Sequence, residues 1–351
     1  MSPNARKNSI YSLVLLGLVL VVYLIRSLTG GSSSPAELAR QKGLVTAQGA
    51  FMEQDYLFLY YPEKPKLPAA IDSLLLTLSQ LYLMDSPRSE IYQLNQQDSL
   101  ANPSKELQTL LKAVIQDSKN SEQVWDPSSG ILYQAWNFSS TGASLKDSSN
   151  VPALLEKVGV GNILISDSLL RKTVPGIKID LRDYGSALAL AQVSKLLEQQ
   201  GVQNYFLQLG RHTLAKGVNE KKELWKAKTS YPDSLARSKE GLIALQNKAI
   251  ASSGDFSRFY QQDSVKKSWL LDPRTGYPVN HGLLRATVLA KDSKTAAILS
   301  ESLMIRGWKE AMRMDSARKD VEMILVYHQK GQGISVYASP ELSSYLSFPI
   351  K

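Results

Sequence analysis

Three features of the sequence predict an α+β fold. Stretches of strand composition and stretches of helical spacing occur along the chain without the regular strand–helix–strand rhythm of a doubly wound parallel sheet. Hydrophobic residues make up 43% of the 351 residues, which suits a packed core and argues against disorder. After residue 44 no second linker, repeat or low-complexity tract interrupts the sequence. We therefore expect a single domain of mixed sheets and helices over residues 45–351.

Each predicted element rests on composition or on the period of its apolar residues. Strands are predicted at residues 49–61, 204–210, 322–327 and 333–338. Helices are predicted at residues 69–83, 104–117, 186–200 and 294–306. In the first of these helices, the apolar positions 71, 74, 75, 78 and 81 fall on neighbouring faces. Gly201 is a typical stop signal for the third helix.

The composition excludes several kinds of site. The chain has no cysteine, so a disulfide scaffold, a thiolate zinc site and a cysteine nucleophile are ruled out. Its three histidines, His212, His281 and His328, are widely separated in sequence, which argues against a histidine-rich metal centre.

The net charge of +9 does not indicate a nucleic-acid partner. The chain has 41 Lys+Arg against 32 Asp+Glu, and Arg6, Lys7 and Arg26 fall in the first 34 residues, which contain no acid. No block of basic residues with interleaved aromatics occurs in the rest, and short pairs such as Lys221–Lys222 are typical of a solvated surface. We therefore expect no nucleic acid among the partners.

The N-terminal segment predicts a membrane anchor. Residues 10–25 contain no charge, follow Lys7 and end before Arg26. Sixteen residues are slightly fewer than the ~20 of a bilayer span, but Ser27 and Leu28 extend the segment and Arg26 can snorkel to the interface. Residues 1–29 are thus predicted to form a transmembrane helix, and residues 30–44, which include GGSSSP, a flexible tether.

A cleaved signal peptide is the alternative for the same segment. The sequence after the apolar stretch, RSLTGGSSSP, lacks a small-x-small cleavage site of the Ala-x-Ala kind, which favours an uncleaved signal anchor. Positive charges before the apolar stretch place the N-terminus in the cytoplasm and the folded domain on the other side of the membrane.

The segment LDPRTGYPV at residues 271–279 has two interpretations. Asp-Pro and Gly-Tyr-Pro are turn sequences, so the segment is explained by a tight loop between elements. Alternatively, Asp272, Arg274 and Thr275 beside a glycine form a polar set suited to a phosphate or to the edge of a ring.

Two further segments also have both a structural and a functional interpretation. Ser252, Ser253, Gly254 and Asp255 are suited to capping a helix N-terminus or to presenting amides and hydroxyls to an anion. The segment at residues 179–192 is predicted to be a strand end with an aspartate that turns into a helix. It lacks the glycine cluster that lets a backbone approach a phosphate.

The order and spacing of these segments resemble those of the FAD:protein FMN transferase family, also called ApbE-like proteins. The resemblance covers about residues 45–340. Six segments carry it: SPRSEIYQLN at 86–95, VWDPSSGILYQAWNF at 124–138, Asp-Leu at 180–181, Leu-Gly at 209–210, SSGDF at 252–256 and DPRTGYPV at 272–279. The last two correspond to the family's Thr-Ser-Gly-Asp-Tyr and Asp-Pro-Arg-Thr-Gly motifs.

The resemblance implies a reaction, its cofactors and a set of binding residues. Such enzymes take FAD and, with magnesium, transfer its FMN half to a threonine or serine hydroxyl of a protein and release AMP. The cofactors implied are FAD and magnesium, and the partner implied is an exported acceptor protein or an envelope complex. The nucleotide-cleft positions kept in this sequence are Asp180, Ser253, Gly254, Asp255, Asp272, Thr275 and Gly276. With the N-terminal anchor, the resemblance implies a single-pass protein of the bacterial inner membrane whose domain is periplasmic.

Several catalytic positions of the family are replaced. The family's histidine three positions before the Asp-Pro-Arg-Thr-Gly aspartate is Trp269 here, and His281, nine residues beyond Asp272, is the nearby substitute. The Gly-Gly-Ile-Ala-Lys-Gly turn becomes RDYGSA at residues 182–187, so that its lysine is replaced by Ser186. No catalytic residue is therefore assigned.

The family's metal-binding segment is also altered. Its first aspartate and its alanine are kept as Asp292 and Ala296, but its metal-binding Asp and Thr positions hold Ala297 and Glu301. Glu301 is the candidate magnesium ligand, because hard cations accept any carboxylate oxygen.

Three functions remain open on the sequence. The first is a membrane-anchored flavin transferase with impaired activity, and the second is a non-catalytic flavin-binding or scaffold subunit of an envelope complex. The third is an exported domain whose cleft binds another nucleotide or no ligand. The tetrapeptide Thr141–Ser144 is similar to the Ser/Thr-Gly-Ala-Ser/Thr core that such enzymes modify, with Ser144 as acceptor, but a chance match in a polar loop is the favoured explanation.

Overall fold

The computed structural model describes residues 43–346, with gaps at residues 140, 147–149, 235–236 and 255–258. Over this part of the chain, no helix combines the length and the apolar character needed to cross a membrane. The predicted membrane helix at residues 1–29 and nearly all of the tether at 30–44 lie outside the described residues, so both stay predictions.

Helices and strands are mixed along the chain, as predicted. The strands are β1 (Val45–Phe51), β2 (Gln54–Tyr61), β3 (Ser99–Ala101), β4 (Trp136–Ser139), β5 (Gly142–Leu145), β6 (Ile163–Ile165), β7 (Leu169–Lys172), β8 (Asn204–Leu209), β9 (His212–Lys216), β10 (Trp225–Ser234), β11 (Arg237–Leu245), β12 (Lys248–Gly254), β13 (Phe259–Gln262), β14 (Val265–Ser268), β15 (Leu283–Ala290), β16 (Glu322–Gln329) and β17 (Gly333–Ala338). The α-helices are α1 (Leu67–Tyr82), α2 (Glu90–Gln96), α3 (Lys105–Asn120), α4 (Gly130–Ala135), α5 (Val151–Leu155), α6 (Arg182–Gln199), α7 (Ser293–Arg306) and α8 (Trp308–Ala317).

An eight-stranded sheet forms the centre of the fold. Its strand order is β1-β2-β8-β9-β12-β15-β16-β17, and every neighbouring pair is antiparallel. A three-stranded sheet, β3-β7-β6, and the hairpins β4-β5, β10-β11 and β13-β14 surround it. An antiparallel sheet with helices packed against it is an α+β arrangement, which confirms the predicted mixture of sheets and helices.

The central strands are buried on both faces. In β8, Tyr205 and Leu207 belong to the core on the helical side, whereas Phe206 belongs to a smaller core on the opposite side. Helices α1, α6 and α7 supply the first core, and hairpin β10-β11 covers the second with Trp225 and Ile243. Burial on both faces explains why three consecutive residues of β8, Tyr205 to Leu207, are apolar or aromatic and do not alternate with polar residues.

Most predicted elements are confirmed, and the differences have local causes. The predicted strand at 49–61 is a hairpin, because Met52 and Glu53 adopt positive φ angles of 53° and 59° and reverse the chain between β1 and β2. The helix predicted at 186–200 begins four residues earlier, at Arg182. Helix α1 covers almost the whole of the predicted range 69–83.

Candidate nucleotide cleft

A cleft of about 520 Å³ lies where the end of β12, the N-terminal part of α6 and the C-terminal half of α7 meet. The β1–β2 turn and the loop at residues 125–130 complete its walls. Four of the residues predicted from the sequence line it: Asp180, Ser253, Gly254 and Glu301. Trp269, which replaces the family's histidine, lines the same cleft.

Hydrogen bonds to the backbone of Ile179 and Asp180 fix the position of Asp180 in the cleft. The buried Asn95 side chain donates from Nδ2 to the Ile179 carbonyl at 2.7 Å and accepts from the Ile179 N–H through Oδ1 at 2.8 Å. The Asp180 N–H donates to the Pro127 carbonyl at 2.7 Å. Residues 177–181 belong to no helix or strand, so they form a loop fixed by these hydrogen bonds and not the strand end predicted from the sequence.

Ser253 and Gly254 form the last two residues of β12, so Ser252, Ser253 and Gly254 lie in a strand and do not cap a helix. Ser253 Oγ lies 2.9 Å from Ser300 Oγ, and the Ser300 hydroxyl donates to the Ala297 carbonyl, so β12 is tied to α7. At Gly254, φ is 79°, and a Cβ would meet the Leu284 carbonyl oxygen and the methyl of Met304. Only glycine fits there. Asp255, the next residue, lies outside the described residues.

The Asp-Pro-Arg-Thr-Gly loop lies outside the cleft lining. The Gly276 N–H donates to the Asp272 carbonyl at 2.8 Å, and the Trp136 indole donates to the Gly276 carbonyl at 2.9 Å. The Thr275 hydroxyl accepts from the Tyr277 N–H at 3.3 Å. In this structure Asp272, Thr275 and Gly276 therefore build a tight turn, which agrees with the turn interpretation of the sequence.

The Asp272 carboxylate is paired with Arg274. Arg274 donates from Nε at 3.0 Å and from Nη2 at 2.7 Å in a bidentate contact. Partial burial raises the pKa of Asp272, but the hydrogen bonds and charge of Arg274 outweigh it, so the pKa lies below its ordinary value. Asp272 therefore stays ionised at neutral pH and stiffens the turn.

Tyr184 lies in the segment that replaces the family's phosphate turn, at the position of its isoleucine, and lines the cleft. Its ring packs on Trp125 with centroids 5.0 Å apart, and its hydroxyl donates to Asp117 Oδ2 at 2.7 Å. Burial, together with the adjacent Asp117 carboxylate, raises the pKa of Tyr184, so the phenol stays protonated. A Cβ at Gly185 would contact the Tyr82 ring, so the start of α6 is closely packed. This wall is aromatic and rigid.

Trp269 provides a second aromatic surface but no base. Its side chain is 40% exposed, and its ring stacks on Phe138 with centroids 6.2 Å apart and an interplanar angle of 21°. An indole donates one N–H and accepts no proton. Position 269 therefore suits contact with a planar ring and excludes general-base catalysis from that position.

His281 does not replace the missing histidine. It does not line the cleft; it lines a separate cavity. Its Nδ1 accepts from the Leu283 N–H at 3.2 Å, and its Nε2 lies 3.1 Å from the Ile305 carbonyl. Burial lowers the pKa of His281 despite these backbone contacts. Both ring nitrogens contact backbone groups and the ring lies outside the cleft, so the interpretation of His281 as a substitute base is wrong.

The cleft fits a magnesium ion only when the ligand supplies part of its coordination. Glu301 and Asp180 both line the cleft, whereas Ala297, one helical turn before Glu301, offers only a buried methyl group. Within the described residues no three His, Asp or Glu side chains cluster as a metal site requires. Magnesium is commonly held by one or two carboxylates together with phosphates and water, which this donor set allows.

Two further cleft residues were missed by the sequence analysis. Arg211 follows Gly210 in the β8–β9 turn and brings a positive charge to the wall. The buried Asp126 carboxylate accepts from the Ser128 N–H at 2.8 Å and the Ser128 hydroxyl at 2.5 Å, which fixes the loop at 125–130. The only sequence signal for Asp126 is its place within the matching segment at 124–138, and the only one for Arg211 is that it directly follows the segment at 209–210.

Curated relatives are similar to this chain in sequence, and solved structures are similar to it in fold. A FAD:protein FMN transferase from Vibrio cholerae serotype O1 is 28% identical over 268 residues, covering 76% of this chain and 79% of its own. One from Haemophilus influenzae is 30% identical over 241 residues, covering 66% of this chain and 69% of its own.

Among solved structures, the flavin transferase ApbE from Vibrio cholerae superposes with a TM-score of 0.72 at 26% identity, covering 86% of this chain and 99% of its own. The Pseudomonas stutzeri flavinyl transferase ApbE gives a TM-score of 0.73 at 21% identity, covering 88% of this chain and 98% of its own, and shows likeness of fold. The model of the ApbE family matches residues 49–325, most of the chain. The chain therefore belongs to the ApbE family.

Proposed function

We propose that the protein binds FAD in the cleft and that its transfer of FMN to a serine or threonine of an exported protein is impaired. The observation that carries this proposal is Trp269, which stands in the cleft at the position of the family's histidine. Attack of a hydroxyl on a pyrophosphate needs a group that accepts the hydroxyl proton, and no histidine is among the described residues that line the cleft.

The retained part of the cleft supports FAD binding. Trp269 presents an exposed ring surface suited to a planar heterocycle, and the buried rings of Trp125 and Tyr184 form part of the cleft lining. Arg211 adds a positive charge suited to phosphates. Ser253 is kept at the end of β12, and so is Gly254, whose backbone lies close to the Leu284 carbonyl and to Met304. Asp180 and Glu301 would hold magnesium together with the phosphates of FAD. A bound magnesium ion neutralises the charge that develops on a pyrophosphate under attack.

A non-catalytic flavin-binding or scaffold subunit of an envelope complex is the second candidate. The buried methyl group of Ala297 and the buried Ser186, at positions of a metal ligand and a lysine in the family, favour it. The two candidates differ in whether any FMN transfer occurs.

The test restores a base at the position that lacks one. Full-length wild-type protein, Trp269→His and Trp269→Phe are incubated with FAD, magnesium and an acceptor domain bearing the target serine or threonine, and AMP release is followed. A positioned base typically contributes about 100-fold or more to such a step, so we expect Trp269→His to release AMP faster and Trp269→Phe to match the wild type. Equal rates in all three proteins, with FAD bound, would favour the flavin-binding subunit instead.

We also propose that residues 1–29 anchor the protein in the bacterial inner membrane with its domain in the periplasm. The uncharged segment at 10–25 and the preceding Lys7 support this placement. Protease added to intact spheroplasts is expected to digest the domain. Protection of the domain until the membrane is broken would contradict the proposal.

A further inference from the structure

A second cavity, of about 560 Å³, lies apart from the cleft and shares no lining residue with it. It is an open pocket lined by hairpin β13-β14, the loop before β15, the junction of α7 with α8 and the β16–β17 turn. Four cationic side chains line it, against one acidic side chain among the described residues, Asp263. We call it the basic pocket; its cations are Lys267, Arg306, Lys309 and Lys330.

Lys267 is the unusual member of the basic pocket. The residue is only 5% exposed, and its ammonium donates to Gln262 Oε1 at 3.0 Å and to Asn280 Oδ1. Both acceptors are neutral amides, and no described carboxylate lies within ion-pair distance of the ammonium. A buried charge without a counterion costs several kcal/mol unless a partner compensates it. Two of the three N–H bonds are used, so one donor remains available.

The surrounding groups add positive potential to the same cavity. Arg306 is paired with Glu122 at 2.9 Å, but Glu122 is 76% exposed, so this contact neutralises the arginine only in part. Gly307, Trp308 and Lys309 at the start of α8 line the pocket, and no described side chain caps that helix. The first amides of an uncapped helix carry partial positive charge and favour an anion.

The walls of the basic pocket are fixed by packing. Trp308 stacks on Tyr327 with centroids 4.7 Å apart and an interplanar angle of 14°. At Gly307, φ is 88°, and a Cβ would lie 2.8 Å from the His281 ring. The start of α8 is therefore held in place before any ligand arrives.

We propose that the basic pocket binds a small anion carrying a phosphate or carboxylate group, with Lys267 as its central contact. The anion supplies the counterion that the buried ammonium lacks. A volume of about 560 Å³ falls within the roughly 300–1,000 Å³ of ordinary small-molecule sites. The proposal does not depend on FAD binding, because the two cavities share no lining residue.

Calorimetric titration of the full-length protein in detergent tests the basic pocket. Sodium phosphate and sodium citrate are the probes, with sodium chloride at matched ionic strength as the blank. Lys267→Met removes the buried charge at nearly constant length. Lys266→Met is the matched control, since the Lys266 ammonium lies 3.8 Å from the Phe259 ring centroid and does not line the pocket.

We expect the wild type and Lys266→Met to bind at least one probe equally, and Lys267→Met to bind it about tenfold more weakly or not at all. The probe that binds identifies the class, phosphate or carboxylate. Absence of binding to the wild type would overturn the proposal. Equal affinity in Lys267→Met would overturn it too, because the anion then binds elsewhere.

Lys267→Met removes a buried side chain, so a second variant covers the case in which it fails to fold. Lys309→Gln combined with Lys330→Gln changes only exposed side chains of the basic pocket. We expect this double variant to fold normally and to bind the same probe severalfold more weakly. Unchanged affinity in a folded double variant, with Lys267→Met unfolded, would count against the proposal.

Discussion

Two walls of the cleft follow the family pattern to different degrees. The wall formed by the end of β12 and the loop at 179–180 keeps Ser253, Gly254 and Asp180. The Ser253 hydroxyl contacts Ser300, Gly254 leaves no room for a Cβ, and the Asp180 N–H donates to the Pro127 carbonyl. A second part of the lining, which we call the replaced wall, has Tyr184 and Trp269 where the family sequence has an isoleucine and a histidine. Under the proposed function, the shape of the cleft and its reactivity depend on different residues. One can be kept while the other is replaced.

The largest effect is expected from Gly254→Ala. Because φ is 79° and the new Cβ meets the Leu284 carbonyl and Met304, we expect the free energy of unfolding to fall by about 3 kcal/mol. FAD affinity falls with it. Chemical denaturation measures the change. Gly161→Ala is the control, since a Cβ there meets nothing within 4 Å and should change stability by less than about 1 kcal/mol. Equal stability of the two variants would show that β12 is not tightly constrained.

The next effect is expected from Asn95→Ala. The substitution removes both hydrogen bonds to Ile179 and leaves the buried N–H and carbonyl of Ile179 unpaired. We expect the free energy of unfolding to fall by about 2 kcal/mol. The position of Asp180 then loosens, so FAD binding weakens as well. Asn120→Ala is the matched control, because it removes a solvent-exposed contact to Gln116. An unchanged FAD affinity would show that Asn95 does not influence FAD binding in the cleft.

Trp269→Ala tests the replaced wall. We expect FAD affinity to fall about tenfold through loss of ring contact, with little loss of stability because the side chain is 40% exposed. Fluorescence titration with FAD measures it. Tyr277→Ala removes a comparably exposed ring outside the cleft and should leave the affinity unchanged. A stronger affinity after Trp269→Ala would mean that the indole blocks the cleft.

The smallest effect concerns the turn beside the cleft. The pKa of Asp272 is lower in the folded protein than in the unfolded chain, so its stabilising contribution is present above the unfolded pKa and is lost as pH falls through the folded pKa. Arg274 is partly exposed, so solvent screening limits the contribution to about 1 kcal/mol or less.

Denaturation of the wild type and of Asp272→Asn at about pH 6 and about pH 3 measures the contribution of the Asp272–Arg274 ion pair to the free energy of unfolding. The variant should be the less stable of the two at the higher pH, and the difference should shrink at the lower pH. A difference that is the same at both values would show that the ion pair does not contribute.

Local periodicity predicted much of the fold and little of the cleft geometry. Helix α1 and strand β17 were predictable because their apolar spacing and turn signals are local. The β1–β2 hairpin was missed, since Met52 and Glu53 are not typical turn residues. The positions of Arg211 and Tyr184 depend on segments far apart in sequence, so no local pattern reveals that they share a cleft. The matching segments found Asp180, Ser253 and Gly254, but not the arrangement of the replaced wall.

The most direct test measures bound FAD and released AMP in one sample. It shows whether the protein binds FAD while its FMN transfer is impaired. The full-length protein is incubated with FAD, magnesium and an acceptor domain, with the Vibrio cholerae transferase as reference. We expect FAD to bind at close to one molecule per chain, and AMP release to be about 100-fold or more slower than for the reference. AMP release at the reference rate with a flavinylated acceptor would contradict impaired transfer, and the absence of bound FAD would contradict retained FAD binding.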